Sequence, residues 1–148
     1  MSICLKEVQL NDAPLLYRWR FLDEKSRANS EIQSCPGGFH HVGWLCEALA
    51  SGDPMFIGFN FSTPIGAVYF RRQNDTFKVS LMVAPEHREK GYGYKLVRMG
   101  LVSIPPTPCF AIIKESNEAS KKIFRRNNFL PYEKGTSEWT RYHRPADV

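Results

Sequence analysis

A charged, glycine-containing segment near the middle of the chain has the composition of an anion-binding turn. It reads V-A-P-E-H-R-E-K-G-Y-G-Y-K-L from Val83 onward and joins a predicted strand to a predicted helix. Gly91 and Gly93 let backbone N–H groups approach a ligand closely. The helix N-terminus adds unpaired N–H groups and the positive end of its dipole. Because Arg88 and Lys90 add positive charge, the segment predicts a pyrophosphate site.

Two better-known phosphate-binding motifs do not fit this segment. No G-K-[ST] ends it, as a P-loop would require, and Leu96 stands where a dinucleotide fingerprint needs its third glycine. Taken alone, the pattern also fits a simple turn before a surface helix.

The hydrophobic pattern around the segment predicts one α/β domain over residues 1–148. Its predicted order is βααβββαβαββ, with the strand at 77–83 parallel to the strand at 109–113 because a helix crosses between them. The result is a mixed, mostly antiparallel sheet with a central parallel strand pair and helices on both faces. Predicted strands cover 4–8, 55–61, 65–71, 77–83, 109–113, 131–134 and 138–143. Predicted helices start at 11–14 and cover 40–50, 93–103 and 117–127, and 34–39 is a predicted loop.

Composition and charge exclude several classes of protein. The 148 residues are 43% hydrophobic and 24% charged, which is typical of a globular chain. No apolar run is long enough to span a membrane, and charge comes too early for a signal peptide, so we expect a cytoplasmic protein. The net charge of +5 suits a small anionic ligand, and no nucleic-acid-binding motif accompanies it. No metal or disulfide is expected, because the cysteines lack paired or metal-ligand spacing: Cys4, Cys35, Cys46 and Cys109.

Two spaced motifs resemble those of the GNAT acetyltransferases. R-E-K-G-Y-G, from Arg88 to Gly93, is similar to the family's R/Q-x-x-G-x-G/A signature, in the context V-x-P-E-x-R. N-E-A-S-K-K-I-F, from Asn117, followed by N-N-F, from Asn127, is similar to N-x-A-S-x-x-L-Y-x-x-x-G-F. The predicted strand order is also that of the family, so the resemblance covers nearly the whole chain.

The resemblance implies a set of residues that bind acetyl-CoA. The pyrophosphate would lie on the backbone of the loop. Met82 and Val83 would pair with the pantetheine arm and polarise the thioester carbonyl. Asn117 and Ser120 would face the thiol, next to Phe124. The two parallel strands would splay apart after a bulge. The loop residues concerned are Arg88, Glu89, Lys90, Gly91, Tyr92, Gly93 and Tyr94.

Two positions depart from the family pattern. Phe124 replaces a tyrosine whose hydroxyl reprotonates the leaving thiolate in the family, so Ser120, Tyr132 or water must supply that proton here. Asn128 replaces a glycine, and asparagine tolerates the left-handed backbone that the turn needs.

The general base has several candidates. Glu115, at the end of a strand beside the expected splay, is either the base or an exposed charge before the next helix. His40 and His41 titrate in the useful pH range, but both also fit a surface or packing role.

Residues in the first half of the chain indicate the acceptor. Trp19-Arg20, then Arg27, and His41-x-x-Trp44 resemble bacterial acetyltransferases that act on nucleotide-linked amino sugars, in particular those of pseudaminic acid synthesis. Ribosomal-protein N-terminal acetyltransferases carry a related pattern. Arg20 or Arg27 would grip a diphosphate and the aromatic residues would stack on a ring; alternatively, the tryptophans are core residues and the arginines are solvated.

The sequence therefore predicts an acetyl-CoA-dependent N-acetyltransferase. Its amine substrate would attack the thioester directly in a ternary complex. Alternatives are a protein N-terminal or lysine acetyltransferase and a non-catalytic acyl-CoA-binding domain. Acyl-chain preference and a homodimeric state stay open.

Overall fold

A computed structural model describes residues 2–31, 37–134 and 138–148. Within them, seven strands form one mixed sheet in the order β1-β2-β3-β4-β5-β7-β6. Only β4 and β5 are parallel in that sheet, which confirms the predicted fold class. The strands are β1 (Ile3–Glu7), β2 (Met55–Asn60), β3 (Thr63–Gln73), β4 (Thr76–Val83), β5 (Cys109–Lys114), β6 (Leu130–Lys134) and β7 (Trp139–Arg144).

The helices follow the predicted order, with one addition. A short helix, α2, follows the first helix and was not predicted. The predicted first helix does continue from α1 to Leu22, but the residues Arg18–Leu22 form a π-helical turn. The predicted loop lies partly outside the described residues, and its last residues belong to α3. The helices are α1 (Ala13–Tyr17), α2 (Glu24–Ala28), α3 (Gly38–Ala50), α4 (Tyr92–Val102) and α5 (Glu118–Arg126).

The helices cover both faces of the sheet because strand residues alternate between faces. Ala67 and Tyr69 of β3 pack in one cluster with Leu16, Trp19 and Leu45, from the helices between β1 and β2. Residues next to them on β3 pack on the opposite face against α4 and α5, in a cluster that includes Val68, Phe70, Val97 and Phe124. Burying each of these large side chains stabilises the fold by about 1.5–3 kcal/mol.

The parallel strands separate soon after they pair. β4 and β5 are in register at Phe77–Cys109 and Lys78–Phe110, and their pairing ends there. The predicted splay is thus present, but no bulge in β4 accompanies it, because β4 pairs with β3 in unbroken register. The register shift in this part of the sheet lies instead in β2, between Gly58 and Phe59.

Two further expectations concern a turn and the membrane. Asn128 has a φ of 69°, so this asparagine does adopt the left-handed conformation of the glycine it replaces. Among the described helices, none has both the length and the apolar composition that crossing a membrane requires.

Candidate active site

A cavity of about 650 Å³ lies where β4 and β5 separate. Its walls come from both strands, from the loop before α4, from the first turns of α4 and α5, and from α2 with the residues that follow it. On β4, Leu81 and Val83 face the α4–α5 side, whereas Lys78, Ser80 and Met82 face the α1–α3 side. Because residues from both sides line the cavity, it passes through the sheet.

The hydrogen-bond ladder of β4 decides which backbone groups face the cavity. The Ala84 N–H donates to the carbonyl of Ile65 at 2.9 Å, so alternate residues of β4, including Met82, direct their N–H groups to β3. Leu81 and Val83 therefore direct theirs toward the open gap. Of the predicted pair, Val83 presents an N–H to the cavity and Met82 does not. Leu81 was missed because its place in the ladder depends on register.

The N-terminus of α4 has the geometry of an anion site. Its N-cap, Gly91, has a φ of 82°, and no side chain of the described residues caps the helix. By contrast, Asp23 caps α2 and Asn117 caps α5 through their side chains. The first N–H groups of α4 thus stay open beside the cavity.

Of the remaining loop residues, Glu89, Tyr92, Gly93 and Tyr94 line the cavity, and Tyr92 and Gly93 also pack against neighbouring elements. Glu89 lines the cavity with a φ of 62°, whereas Lys90 is exposed and lies outside the lining. Tyr92 is buried, and its hydroxyl accepts a hydrogen bond from Asn60 Nδ2 at 3.1 Å. A Cβ on Gly93 would lie 2.6 Å from Cδ1 of Ile123, so this glycine is needed for the packing of α4 against α5.

Arg88 lines the cavity, but its charge is engaged elsewhere. Its guanidinium donates to Asp23 Oδ2 at 2.5 Å and to the Ser26 hydroxyl at 2.9 Å. Burial pushes the pKa of Asp23 up, but the hydrogen bonds from Arg88 and Ser26 outweigh it and lower the pKa overall. The expected contribution of Arg88 to a pyrophosphate site is therefore largely neutralised by Asp23.

The first turn of α5 places two polar residues on the cavity wall. Asn117 Oδ1 accepts from the Ser120 N–H at 3.2 Å, and Asn117 Nδ2 donates to the Ser120 hydroxyl at 3.1 Å. Phe124, one turn further, also lines the cavity but is buried against Phe129, with 5.0 Å between ring centroids. Ser120 is thus the one predicted proton donor that lies on the cavity.

The other predicted catalytic residues lie elsewhere. The Glu115 carboxylate accepts a hydrogen bond from the Thr140 hydroxyl and pairs with Lys121 at 3.4 Å, outside the cavity lining. Tyr132 is 70% exposed on β6 and stacks on His143, at 4.1 Å between centroids. Because β7 lies between β5 and β6, Tyr132 is on the edge strand of the sheet and outside the cavity lining.

Of the predicted acceptor residues, only Arg20 lines the cavity. Trp19 is 1% exposed and belongs to the core. Arg27 Nη1 donates to the carbonyl of Phe21 at 3.4 Å. His41 and Trp44 stack on each other at 5.8 Å on α3, away from the lining. Burial and the nearby Arg20 lower the pKa of His41, so it stays neutral at neutral pH.

Several charged residues on the cavity were not predicted as site residues. Lys122 and Arg126 of α5 line the cavity, and the Arg126 guanidinium lies 3.9 Å from the ring centroid of Tyr94, in the first turn of α4. On the other side, Lys78 pairs with Glu31 at 2.5 Å. The sequence shows the basic residues in 121–126. It does not show which faces of the strands and helices bring Lys122, Arg126 and Lys78 to one cavity. Among the described residues, no three metal-ligating side chains form a group.

Comparisons with known proteins place this architecture in a family. The acetyltransferase (GNAT) family matches residues 14–129. A comparison with curated proteins finds no significant match. The fold is similar to a putative acetyltransferase, YncA, from Salmonella typhimurium solved with acetyl-CoA: 16% identity, 100% and 96% of the two chains covered, TM-score 0.81. It is also similar to a phosphinothricin acetyltransferase from Sinorhizobium meliloti solved with acetyl-CoA, at 16% identity, with 98% and 89% of the two chains covered and a TM-score of 0.81. A third similar structure shows mutant forms of a spermidine/spermine N-acetyltransferase from Vibrio cholerae, at 13% identity, with 97% and 94% of the two chains covered and a TM-score of 0.73.

The chain belongs to the acetyltransferase (GNAT) family, because the family match covers most of its length. The predicted class of enzyme, an acetyltransferase, is thereby confirmed. Two of these structures are named for different acceptors, phosphinothricin and spermidine or spermine, and YncA is named for none, so they do not identify the acceptor of this chain.

Proposed function

We propose that this chain transfers the acetyl group of acetyl-CoA to a primary amine of a small molecule, with both substrates bound at once. The observation that supports this most directly is the cavity through the sheet. One side of it offers an uncapped helix N-terminus and the other a cluster of polar side chains. Donor and acceptor can thus approach the gap between β4 and β5 from opposite sides.

The side of the cavity next to α4 and α5, which we call the donor side, suits the phosphates and the amide arm of CoA. The open N–H groups at the start of α4 would bind the pyrophosphate, and Lys122 and Arg126 add positive charge next to them. The free N–H groups of Leu81 and Val83 match an extended pantetheine arm, which would add to β4 as a strand does.

The chemistry requires few side chains. The amine nitrogen bonds to the thioester carbon, the carbon–sulfur bond breaks, and the amine proton leaves to solvent. An N–H of Leu81 or Val83 would stabilise the negative charge that develops on the carbonyl oxygen. The Ser120 hydroxyl, held by Asn117, would give its proton to the leaving thiolate and recover one from water.

A nucleotide-linked amino sugar is the acceptor that the residue pattern favours, and of that pattern Arg20 lines the cavity. A protein amine near basic residues fits less well. Seven lysine and arginine side chains but three glutamates line the cavity in the described part of the chain, so a basic peptide would be repelled.

The test is thiol release from acetyl-CoA with a panel of amines, including nucleotide-linked amino sugars and peptides, together with CoA binding by calorimetry. Gly91→Ala should weaken CoA binding because alanine is strained at a φ of 82°. Gly43→Ala is the matched control, since it adds the same methyl group to an open helical position.

Four outcomes are distinct. Turnover with a small-molecule amine supports the proposal, and turnover with peptides alone would favour the protein-acetylating alternative. CoA binding without any turnover would favour a non-catalytic acyl-CoA-binding domain. Equal CoA binding by Gly91→Ala and the parent would overturn the assignment of the loop.

A further inference from the structure

We infer that the acceptor carries a negatively charged group besides its amine, and that the guanidinium of Arg20 binds that group. This inference rests on the proposed function and narrows its acceptor to one chemical class.

Arg20 is a partly buried cation whose guanidinium has no hydrogen-bonding partner among the residues that the structure describes. It lies in the π-helical turn Arg18–Leu22 and lines the cavity. Its nearest aromatic contact is the ring of Phe21, 5.8 Å from Cζ. Within the described residues, no carboxylate, carbonyl or hydroxyl oxygen accepts a hydrogen bond from its guanidinium. Five N–H donors are thus available to a ligand, and leaving them unpaired away from bulk water costs free energy.

The surrounding charges do not neutralise Arg20. Glu31 attracts it, but that carboxylate already forms an ion pair with Lys78 at 2.5 Å. Tyr69 and His41 are its other polar neighbours, and neither carries a charge: burial raises the pKa of the Tyr69 phenol, and burial together with Arg20 lowers the pKa of His41. Arg20 and Lys78 therefore share the Glu31 carboxylate, and one of these two positive charges is left over.

The donor does not supply the missing anion. The first turns of α4 and α5, where the phosphates of CoA would bind, lie on the opposite face of the sheet from Arg20, Lys78 and Ser80. A second anion must come from the acceptor itself. A polyamine would bring only positive charge to this side, and we expect it to be rejected by repulsion from Arg20 and Lys78.

Carboxylates and phosphates are the anions that match a guanidinium, because each can accept two parallel hydrogen bonds from it. An α-amino acid and a phosphorylated amino sugar both place such a group within a few bonds of a primary amine. The shared chemistry is an amine with an anionic group, and matched probes separate the two sources.

The experiment measures binding to protein saturated with CoA, which occupies the donor-side anion site. Calorimetry compares L-methionine with L-methioninamide and glucosamine 6-phosphate with glucosamine, and spermidine is tested alone. We expect the anionic member of at least one pair to bind at least about 10-fold more tightly than its neutral partner, as a charge-assisted bidentate contact implies. Whichever pair shows the preference identifies carboxylate or phosphate as the anion.

Arg20→Gln should remove the preference, and Arg20→Lys should restore part of it as a point charge. Arg27→Gln is the matched control, because Arg27 donates to the Phe21 carbonyl outside the cavity lining. Circular dichroism and CoA binding check that each variant is folded.

Three results would overturn the inference: no preference in either pair, including no binding of any probe; a preference that survives Arg20→Gln; or spermidine binding as tightly as the best anion. Each of them leaves CoA binding and thiol release with other amines unaffected. Failure of the inference is thus distinguishable from failure of the proposed function, in which CoA binding or turnover itself is absent.

Discussion

The guanidinium of Arg88 and the carboxylate of Asp23 form an ion pair, with 2.5 Å between Nη2 and Oδ2. The pair joins the loop before α4 to the N-cap of α2. Residues after that cap, including Ser26 and Asn29, line the side of the cavity that we propose for the acceptor. Arg88 therefore links the loop before α4 to that wall of the cavity.

Asp23→Ala should destabilise the fold by removing both the ion pair and the cap of α2. Loss of an N-cap side chain costs about 1 kcal/mol, and a partly exposed ion pair adds up to about 1 kcal/mol. We expect the free energy of unfolding in urea to fall by about 1–2 kcal/mol. Asp75→Ala, in an exposed turn, is the control. Equal stability of the two variants would contradict the role of the pair.

The contribution of Asp23 should also depend on pH. Its pKa in the folded chain lies below the ordinary value of 3.8, because the hydrogen bonds from Arg88 and Ser26 outweigh burial. The folded state therefore favours the carboxylate, so this stabilisation is present above the unfolded pKa and is lost as pH falls through the folded one. Parent and Asp23→Ala should differ most near pH 7 and converge below about pH 4. A constant difference down to pH 3 would show that the carboxylate charge is not involved.

Much of the fold was predictable because its strands and longer helices carry strong apolar patterns. The strand, turn and helix around Gly91 could be predicted from two patterns: the hydrophobic run before this glycine and the helically spaced apolar residues after it. α2 was missed because E-K-S-R-A has no apolar face. Its start depends on Asp23, which is held by Arg88 from 65 residues away.

The candidate site was harder to predict because it depends on strand order and register. Tyr132 and Glu115 were plausible in sequence, yet β7 separates β6 from β5, and Thr140 of β7 binds the Glu115 carboxylate. Leu81 and Met82 are neighbours in the chain, but only Leu81 directs its N–H to the gap, given the ladder to β3. No local pattern contains that information.

Gly93→Ala should destabilise the contact between α4 and α5. The added methyl group would lie 2.6 Å from Cδ1 of Ile123 and 3.4 Å from Cδ2 of Leu81. Overpacking of this kind costs about 1–3 kcal/mol. Ile123→Val removes the closest carbon, so the double variant should be more stable than the sum of the single effects, by on the order of 1 kcal/mol. Urea unfolding of all four proteins gives this coupling energy; strict additivity would show that the clash is relieved elsewhere.

Glu115→Gln tests whether this carboxylate is the general base. It lies outside the cavity lining and is engaged by Thr140 and Lys121. We expect an unchanged pH profile of kcat/KM and little loss of stability, because exposed ion pairs contribute little. If kcat/KM rises with pH in the parent but no longer does so in the variant, Glu115 is the general base after all.

Ser120→Ala should lower kcat if this hydroxyl protonates the leaving thiolate. Loss of a positioned proton donor typically costs about 10²-fold in rate. The backbone N–H of residue 120 still donates to Asn117 Oδ1, so the cap of α5 and the KM for acetyl-CoA should change little. Ser120→Thr keeps a hydroxyl and should retain part of the rate.

Tyr132→Phe removes the other predicted hydroxyl, and we expect the parent rate because that residue lies on the far edge of the sheet. Steady-state kinetics of the three variants measure these effects. If Ser120→Ala has the same kcat as the parent, water must protonate the thiolate, because Phe124 has no hydroxyl group.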